Sequence, residues 1–586
     1  MGRHSAPSAA AAASSTEEDQ PALAALAAPL LPPGAGSDRP SRHVRQGPDA
    51  ARRGGPRTAA QGHRPEAVVD PPQPRGEAVP RRPAYRRPAW PVPEGAAPPR
   101  AVPAPSATPM AGTRPAAPIA AAEPETEVPE TEATRVPEPR PAARSELTAA
   151  SSRATVGQRK EPRLLAGWRN TDRMPDLAEH HRRHGELPRA EFAGPAGAAR
   201  LVELADRAGL RGRGGAGFPT ARKMFSVLES ASARRRPVLV ANGCEGDPTS
   251  EKDRVLLQGA PHLVLDGIAL AAHAVGADQA ILCLHRGSPL VTAMERAVAE
   301  RGGDPCEIHV VTVPGRFVSS EASALVRYLT EGDARPSVSP PLPSQRGVQG
   351  RPTLVDNVET LAHLALIARR DADWFRARGT EASPGTMLAT VGGAVHRPGV
   401  YEVDLGARAG HLLRLAGGAS EPVQALLLGG LGGSWLPLPA RGNLALSHEA
   451  CAAAGVGLGV ASLMALPADA CGLAVTSALV AYLAGESANQ CGPCMFGLPS
   501  VAEDLAELAA GSVDPDLAKR LERRLGVVLG RGACAHPDGT VRLAASALDT
   551  FASDVAEHLR GRPCGRPDIT AFPMLASLTS AKGGWR

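Results

Sequence analysis

The residues best suited to do chemistry fall in three clusters. The first is Arg211-Gly212-Arg213-Gly214-Gly215-Ala216-Gly217-Phe218-Pro219-Thr220, whose glycines free the backbone for positive φ and close approach to a ligand. A helical pattern over 221–228 follows at once. A glycine loop that opens a helix offers free N–H groups and a positive dipole end to an anion. Arg211, Arg213 and Lys223 add positive charge. The second cluster is the acidic loop Asn242-Gly243-Cys244-Glu245-Gly246-Asp247-Pro248. The third is Cys491 and Cys494 at Cys-x-x-Cys spacing, with Cys534 further along. Such thiolates hold a metal or a cluster, or act in redox chemistry.

A chain of 586 residues has room for roughly four domains to position these groups. Its nine cysteines, an odd number that includes a Cys-x-x-Cys pair, read as cytosolic metal ligands and not as a disulfide framework. The net charge of +5 is small and partly carried by an arginine-rich N-terminal third, so it gives no argument for nucleic acid. No apolar run is long and charge-free enough to span a bilayer, and the N-terminus makes a poor signal peptide. The expectation is a soluble cytoplasmic protein, peripheral at the inner face of the membrane if its partners sit there.

Residues 1–160 are rich in Pro, Ala and Arg and poor in large apolar residues, and are expected to be a disordered tail. From 161 to 384, helical patterns over 191–207, 255–275 and 289–301 alternate with short apolar strands over 237–242, 280–284 and 307–313. A Pro-rich connector over 335–352 leads to 353–361, read as opening a helix. That alternation predicts an α/β domain, a Rossmann-like parallel sheet covered by helices, with ligands at the carboxyl ends of the strands. Residues 385–440 resemble a small β-grasp module of the soluble-ligand-binding (SLBB) type. Helical patterns over 473–485, 498–510, 514–529 and 544–559 predict a C-terminal helical bundle across 465–565, before a tail over 566–586.

From about Leu204 to Leu559 the chain resembles, in collinear order, the NADH-oxidising flavoprotein subunit of respiratory complex I. The same subunit type serves NAD-linked hydrogenases and formate dehydrogenases, and the departures here mark a divergent paralogue. The resemblance implies that the glycine loop holds FMN and that Phe218 and Lys223 help bind NADH. The acidic loop, through Lys252-Asp253-Arg254, corresponds to the segment lying over the flavin, with Cys244 and Asp247 replacing an aspartate and a glutamate. Gly315 to Leu325 corresponds to G-x-Y-I-C-G-E-E-T-A-L: Glu321 is kept, Phe317 replaces tyrosine, Ser320 replaces glycine and Ala322 replaces the second glutamate. Asp356-Asn357-Val358-Glu359-Thr360 corresponds to the flavin-phosphate segment N-N-V-E-T. The implied cofactor-binding set is Gly212, Arg213, Gly214, Gly215, Gly217, Phe218, Lys223, Asn242, Glu245, Asp247, Glu321, Asp356, Asn357 and Thr360.

The residues themselves bear on these roles. Glu245 and Asp247 suit ribose hydroxyls, and Asn357 and Thr360 can hydrogen-bond a flavin. A carboxylate at Asp356 costs binding energy near a phosphate. Ala322 removes the charge that in the family repels NADPH, and Ser320 adds a Cβ where backbone should pass the ligand.

The family's cluster motif is E-S-C-G-x-C-x-P-C with a later fourth cysteine. Here it reads Glu486-Ser487-Ala488-Asn489-Gln490-Cys491-Gly492-Pro493-Cys494, then Cys534. Ala488 cannot bind iron, whereas a [4Fe–4S] cluster wants four ligands. The metal set Cys491, Cys494 and Cys534 therefore leaves three outcomes: a fourth ligand from Ser487, Asn489 or His536, a three-iron cluster, or cluster loss with the thiols idle or on zinc. Cys451, Cys471 and Cys564 fall outside the ligand positions and read as packed or free thiols.

The function implied is electron transfer from NAD(P)H through FMN to an iron–sulfur centre or a redox partner: another subunit, a ferredoxin or a membrane-bound reductase. A non-catalytic scaffold with degraded sites is the alternative, carried by Ser320, Ala322, Asp356 and Ala488 together. A soluble-ligand-binding role of the β-grasp region ranks last, since that region has no charged constellation.

Overall fold

The structure, a computed structural model, describes residues 161–168, 173–568 and 584–585. The tail expected over 1–160 lies outside them, as do residues 569–583 of the C-terminal one.

In the first domain, α1 (Leu177–His184), α2 (Gly194–Ala208) and α3 (Thr220–Ser230) precede β1 (Val238–Asn242). Then follow α4 (Lys252–Gly259), α5 (Pro261–Val275), β2 (Gln279–His285), α6 (Val291–Ala299), β3 (Glu307–Val313), α7 (Ala322–Glu331), β4 (Thr353–Asn357), α8 (Val358–Arg370) and α9 (Ala372–Arg376). The four strands are parallel in the order β3-β2-β1-β4. Helices cover the sheet, which explains runs such as Val238-Leu239-Val240-Ala241 that do not alternate. Asn242 pairs in register with Asn357, so the acidic loop after β1 and the β4–α8 junction leave the sheet side by side at its carboxyl edge.

Two elements differ from expectation. The helix read over 255–275 breaks at Ala260-Pro261, and α4 meets α5 at 97°. Pro261 has no N–H to donate to the preceding turn, so it starts α5 instead of continuing α4. Residues 353–357 form strand β4 and not a first helical turn. Asn357 ends it as the N-cap of α8, its Oδ1 accepting the Glu359 N–H at 3.1 Å. Among the described residues no single helix is long and apolar enough to cross a membrane.

The second unit contains β5 (Thr386–Gly393), β6 (Gly399–Asp404), α10 (Ala409–Leu415), β7 (Val423–Leu428), β8 (Ser434–Pro437), α11 (His448–Ala453) and β9 (Ser462–Pro467). Its mixed sheet runs β6-β5-β9-β7-β8. The central strand is β9, parallel to β5 and antiparallel to β7, so the module expected at 385–440 extends to Pro467. Every residue of β9 is buried, which leaves no alternation to read.

The bundle consists of α12 (Gly472–Gly485), α13 (Leu498–Ala510), α14 (Leu517–Val528), α15 (His536–Thr550) and α16 (Ala552–His558). The helix expected over 544–559 is thus two, α15 starting earlier with Pro537 in its first turn. A π turn, Pro493–Gly497, leads into α13 and carries Cys494. Trp435 of β8 joins module to bundle: its Nε1 donates to Thr476 Oγ1 at 3.0 Å and its ring meets Phe551 edge-on.

The close crossing of α5 and α8 depends on Gly267, where an added Cβ would lie 2.0 Å from the Leu361 carbonyl oxygen. Gly267→Ala is expected to cost about 1–3 kcal/mol by forcing the helices apart. An unchanged urea midpoint would show that this packing is not tight.

Candidate functional site

The glycine loop closes on itself. Gly212 N–H donates to Phe218 O at 2.8 Å and Thr220 N–H to Leu210 O at 2.9 Å, so residues between them bow outward at the start of α3. Gly215 and Gly217 have φ of 109° and 62°, and a Cβ on Gly217 would lie 2.3 Å from the His448 ring. No side chain caps α3; the Thr220 N–H is taken by Leu210 O, so an anion at this helix start would meet the N–H groups that follow it.

A cleft of about 610 Å³ opens over this loop. Among its walls are Gly212, Gly214, Gly215, Gly217, Phe218 and Lys223 from the loop and α3, and Asn242, Glu245 and Asp247 from the acidic loop. Glu321, Asp356 and Asn357 complete the sequence-derived set that reaches it. Arg213 and Thr360 do not line it. The Arg213 guanidinium is turned into the protein, donating to Arg211, Pro384 and Thr386 carbonyl oxygens, while its N–H donates to Thr360 Oγ1 at 2.9 Å. Those two residues set the loop's shape. Arg211 likewise braces the loop, donating to Gly217 O and pairing with Glu449. Of the three cations expected to supply charge, only Lys223 reaches the cleft, and it pairs with Asp356 at 3.1 Å.

The two acidic side chains hold loops. Glu245 accepts from Ser250 Oγ and from the Asp253 and Arg254 N–H groups, so it caps the start of α4. Burial raises its carboxyl to about 7, with the Asp253 charge adding to the effect. Asp247 accepts from Thr249 and, at 2.7 Å, from the Leu431 N–H, which ties the acidic loop to the β7–β8 turn; burial raises its pKa too. Glu321 caps α7 through the Ser323 and Ala324 N–H groups.

Beneath them lies a buried ionic network. Lys252 Nζ stands 2.6 Å from Asp253 Oδ1 and 3.1 Å from both Asn357 Oδ1 and Glu359 Oε2. Asn357 Nδ2 donates to Asp253 Oδ2 at 2.7 Å. Burial alone would lower the Lys252 pKa, but Asp253 and Glu359 outweigh it and raise it. Burial likewise opposes ionisation of Glu359, yet Lys252 and His363 hold its carboxyl down at about 2.

The residues fit a flavin nucleotide. The volume lies in the range of cofactor sites, roughly 300–1,000 Å³. The glycine walls present backbone, and Asp356 Oδ2 is buried in the cleft without a hydrogen-bond partner, which calls for a donor from a ligand. Glycines of the β-grasp module (Gly429, Gly432 and Gly459) and Arg542 of α15 complete the walls. Sequence reasoning missed these four, because single glycines and one helix arginine carry no signal until the fold brings them in.

Cys534 and His536 also line the cleft. Cys494 is buried near Cys491 and Cys534; burial first, then those thiols, push it up to about 12. Ala488, at the family's first ligand position, is buried and close enough to act on the Cys494 thiol, but carries only a methyl. Among the described residues only one other set, in a separate part of the bundle, brings three ligand atoms within 4.8 Å of one another. The three motif thiols thus stand wider than the ligands of one zinc ion. Of the other donors, Ser487 Oγ donates to Asn489 Oδ1 and His536 Nε2 to Leu483 O. Three of the four cysteine positions of the family's motif are cysteine here, and the first is Ala488.

Parallel sheet, glycine loop, cleft and adjoining thiols define an FMN-type electron-transfer flavoprotein. Residues 205–366 match the Nuo51 FMN-binding domain, and residues 474–558 the NADH-ubiquinone oxidoreductase-F iron–sulfur binding region. The F 2 subunit of NADH-quinone oxidoreductase from Rhizobium meliloti is 32% identical over 384 residues, 62% of this chain and 90% of that one. The HndC subunit of the NADP-reducing hydrogenase from Solidesulfovibrio fructosivorans is 28% identical over 390 residues, 64% of this chain and 79% of that one. Crystal structures of an NAD+-reducing [NiFe]-hydrogenase match at 31% identity. The air-oxidized state gives a TM-score of 0.59 over 69% of this chain and 68% of that one; the H2-reduced state gives 0.57 over 64% of each. The chain belongs to the family of NADH-quinone oxidoreductase F subunits. It is an electron-transfer oxidoreductase of the NADH dehydrogenase flavoprotein type, and its relatives are subunits of larger assemblies.

The ionic network gives a direct test. Lys252→Met leaves Asp253 and Glu359 buried without their cation, an expected loss of about 3–5 kcal/mol at neutral pH. Glu359, held low in the native protein, contributes stability above its ordinary value of 4.5 and loses it as pH falls toward 2. The variant's deficit should therefore shrink as pH falls toward 2, beginning above 4.5 because burial without Lys252 raises its carboxylates. A deficit independent of pH in denaturant titrations would rule out the charge explanation.

Proposed function

We propose that the cleft holds FMN against the glycine loop and the β4–α8 junction, and admits a nicotinamide nucleotide beside Phe218, Glu321 and Ala322. The observation that supports this best is that one cleft is walled by the glycine loop on one side and by Cys534 on another. Flavin and cluster sites thereby adjoin. Bound FMN would supply the conversion between two-electron hydride chemistry and one-electron transfer.

The chain's own groups position and balance charge. Phe218, half-exposed, offers a face for a nicotinamide or adenine ring. The glycine N–H groups and the start of α3 suit the phosphate. Lys223 offsets Asp356, so a phosphate nearby meets a pair and not a bare carboxylate. The unpartnered Asp356 Oδ2 suits a ribityl hydroxyl. Glu245, Asp247 and Glu321, each engaged by backbone N–H groups, keep the walls in place. Cys491, Cys494 and Cys534 are the residues that would hold iron, and such a centre would supply one-electron transfer to a redox subunit, a ferredoxin or a membrane-bound reductase. With such a partner the protein would work in the cytoplasm, peripheral at the inner face of the membrane.

Ser320, Ala322, Asp356 and Ala488 favour the second reading, a scaffold that has lost its cofactors. Ser320 lines the cleft, but its hydroxyl turns back to Phe317 O at 3.2 Å.

Two measurements decide. An anaerobic absorbance spectrum should show a flavin band that bleaches on adding NADH or NADPH; protein that stays colourless after reconstitution with FMN, iron and sulfide would leave the scaffold. Ala322→Glu should lower the NADPH-to-NADH ratio of reduction rates about tenfold by restoring charge repulsion. An unchanged ratio means that position 322 does not read the nucleotide.

A further inference from the structure

Cys471, His558 and Cys564 lie outside the cleft and outside the cluster motif, and their ligand atoms all fall within 4.8 Å of one another. Cys471 precedes α12 and its sulfur accepts the Ala474 N–H at 3.4 Å. His558 ends α16, and Cys564 follows in the segment beyond it. Cys471 and His558 are almost wholly buried, while Cys564 is half-buried. The match to the family's iron–sulfur region ends at residue 558, so Cys564 lies past it.

The histidine is set up as a ligand. Its Nδ1 lies 3.1 Å from Leu508 O, which can only accept, so Nδ1 carries the proton. The Nε2 lone pair is thereby turned toward Cys564, whose N–H now donates to it at 3.0 Å. A ring N–H held by a backbone carbonyl is the usual second contact of a metal-binding histidine.

We infer that Cys471, His558 and Cys564 form a zinc site. Two thiolates and a neutral imidazole are a borderline-soft donor set that suits zinc. Tetrahedral bonds of about 2.0–2.3 Å set ligand atoms roughly 3.5–3.8 Å apart, inside the 4.8 Å within which all three atoms fall. The ion would replace the Cys564 N–H at Nε2 and take its fourth ligand from solvent on the exposed Cys564 side. It would fasten the segment after α16 to the start of α12, where Cys471 N–H already donates to Pro567 O at 2.7 Å. A disulfide between the two cysteines would use the same sulfurs but gives the oriented histidine no role.

The test uses the full-length protein, purified anaerobically and washed with chelator, with zinc counted by mass spectrometry. About one zinc per chain is expected, kept in the Cys491→Ser/Cys494→Ser protein and lost in Cys564→Ser. Exchange with cobalt(II) in the Cys491→Ser/Cys494→Ser protein gives a readout that does not depend on Cys564→Ser folding: thiolate-to-cobalt charge-transfer absorption is expected. Zinc that disappears with Cys491 and Cys494, absence of both zinc and cobalt absorption, or a Cys471–Cys564 disulfide in the unreduced alkylated protein would each overturn the assignment.

Discussion

Everything at the cleft rests on one buried ammonium. Lys252 neutralises Asp253 and Glu359 and bonds Asn357, so the first turn of α4, the end of β4 and the start of α8 are fixed to one another. Removing charges from water is costly, and it is tolerated here because each has a partner and further hydrogen bonds. Glu359 also accepts the Leu388 N–H from β5, which carries the same network into the β-grasp module. The acidic loop is held in turn: Glu245 caps α4 and Asp247 reaches the Leu431 N–H. Glu245, Asp247 and Asn357 thus line the cleft and also brace the loops that form it.

How much was legible in the sequence follows from which residues carry local signals. The glycine loop and the acidic loop announce themselves by composition, and the strands that aim them by apolar, β-branched runs. The parallel sheet was legible for that reason. Arg213 and Thr360 were grouped with the ligand contacts because a motif records which residues are needed and not which way they turn; the structure points Arg213 at carbonyl oxygens of the module boundary. Strand β9 was illegible because a fully buried central strand has no period. The break at Pro261 carried its signal in plain view, yet the apolar residues on both sides merged into one pattern. Cys471 and Cys564 stand so far apart in sequence that only the folded bundle brings them together with His558.

The departures from the family pattern are unequal in effect. Asp356 brings a carboxylate toward an anion-binding loop, but Lys223 on α3 stands beside it and offsets the charge. Ser320 folds its hydroxyl onto Phe317 O. Ala488 has no such remedy: it keeps the backbone contact to Cys494 and loses the sulfur. The flavin half is thus locally compensated, while the cluster half is short of one ligand.

Because the glycine loop, the β-grasp glycines and the α15 residues His536 and Arg542 share one cleft, no domain owns the site. A ligand that binds only when all three walls are assembled draws its affinity from their docking, and by linkage lends that free energy back to it. With FMN bound as proposed, cofactor occupancy and domain cohesion would be one equilibrium, and a shift of the bundle against the sheet would alter flavin retention without touching the flavin loop.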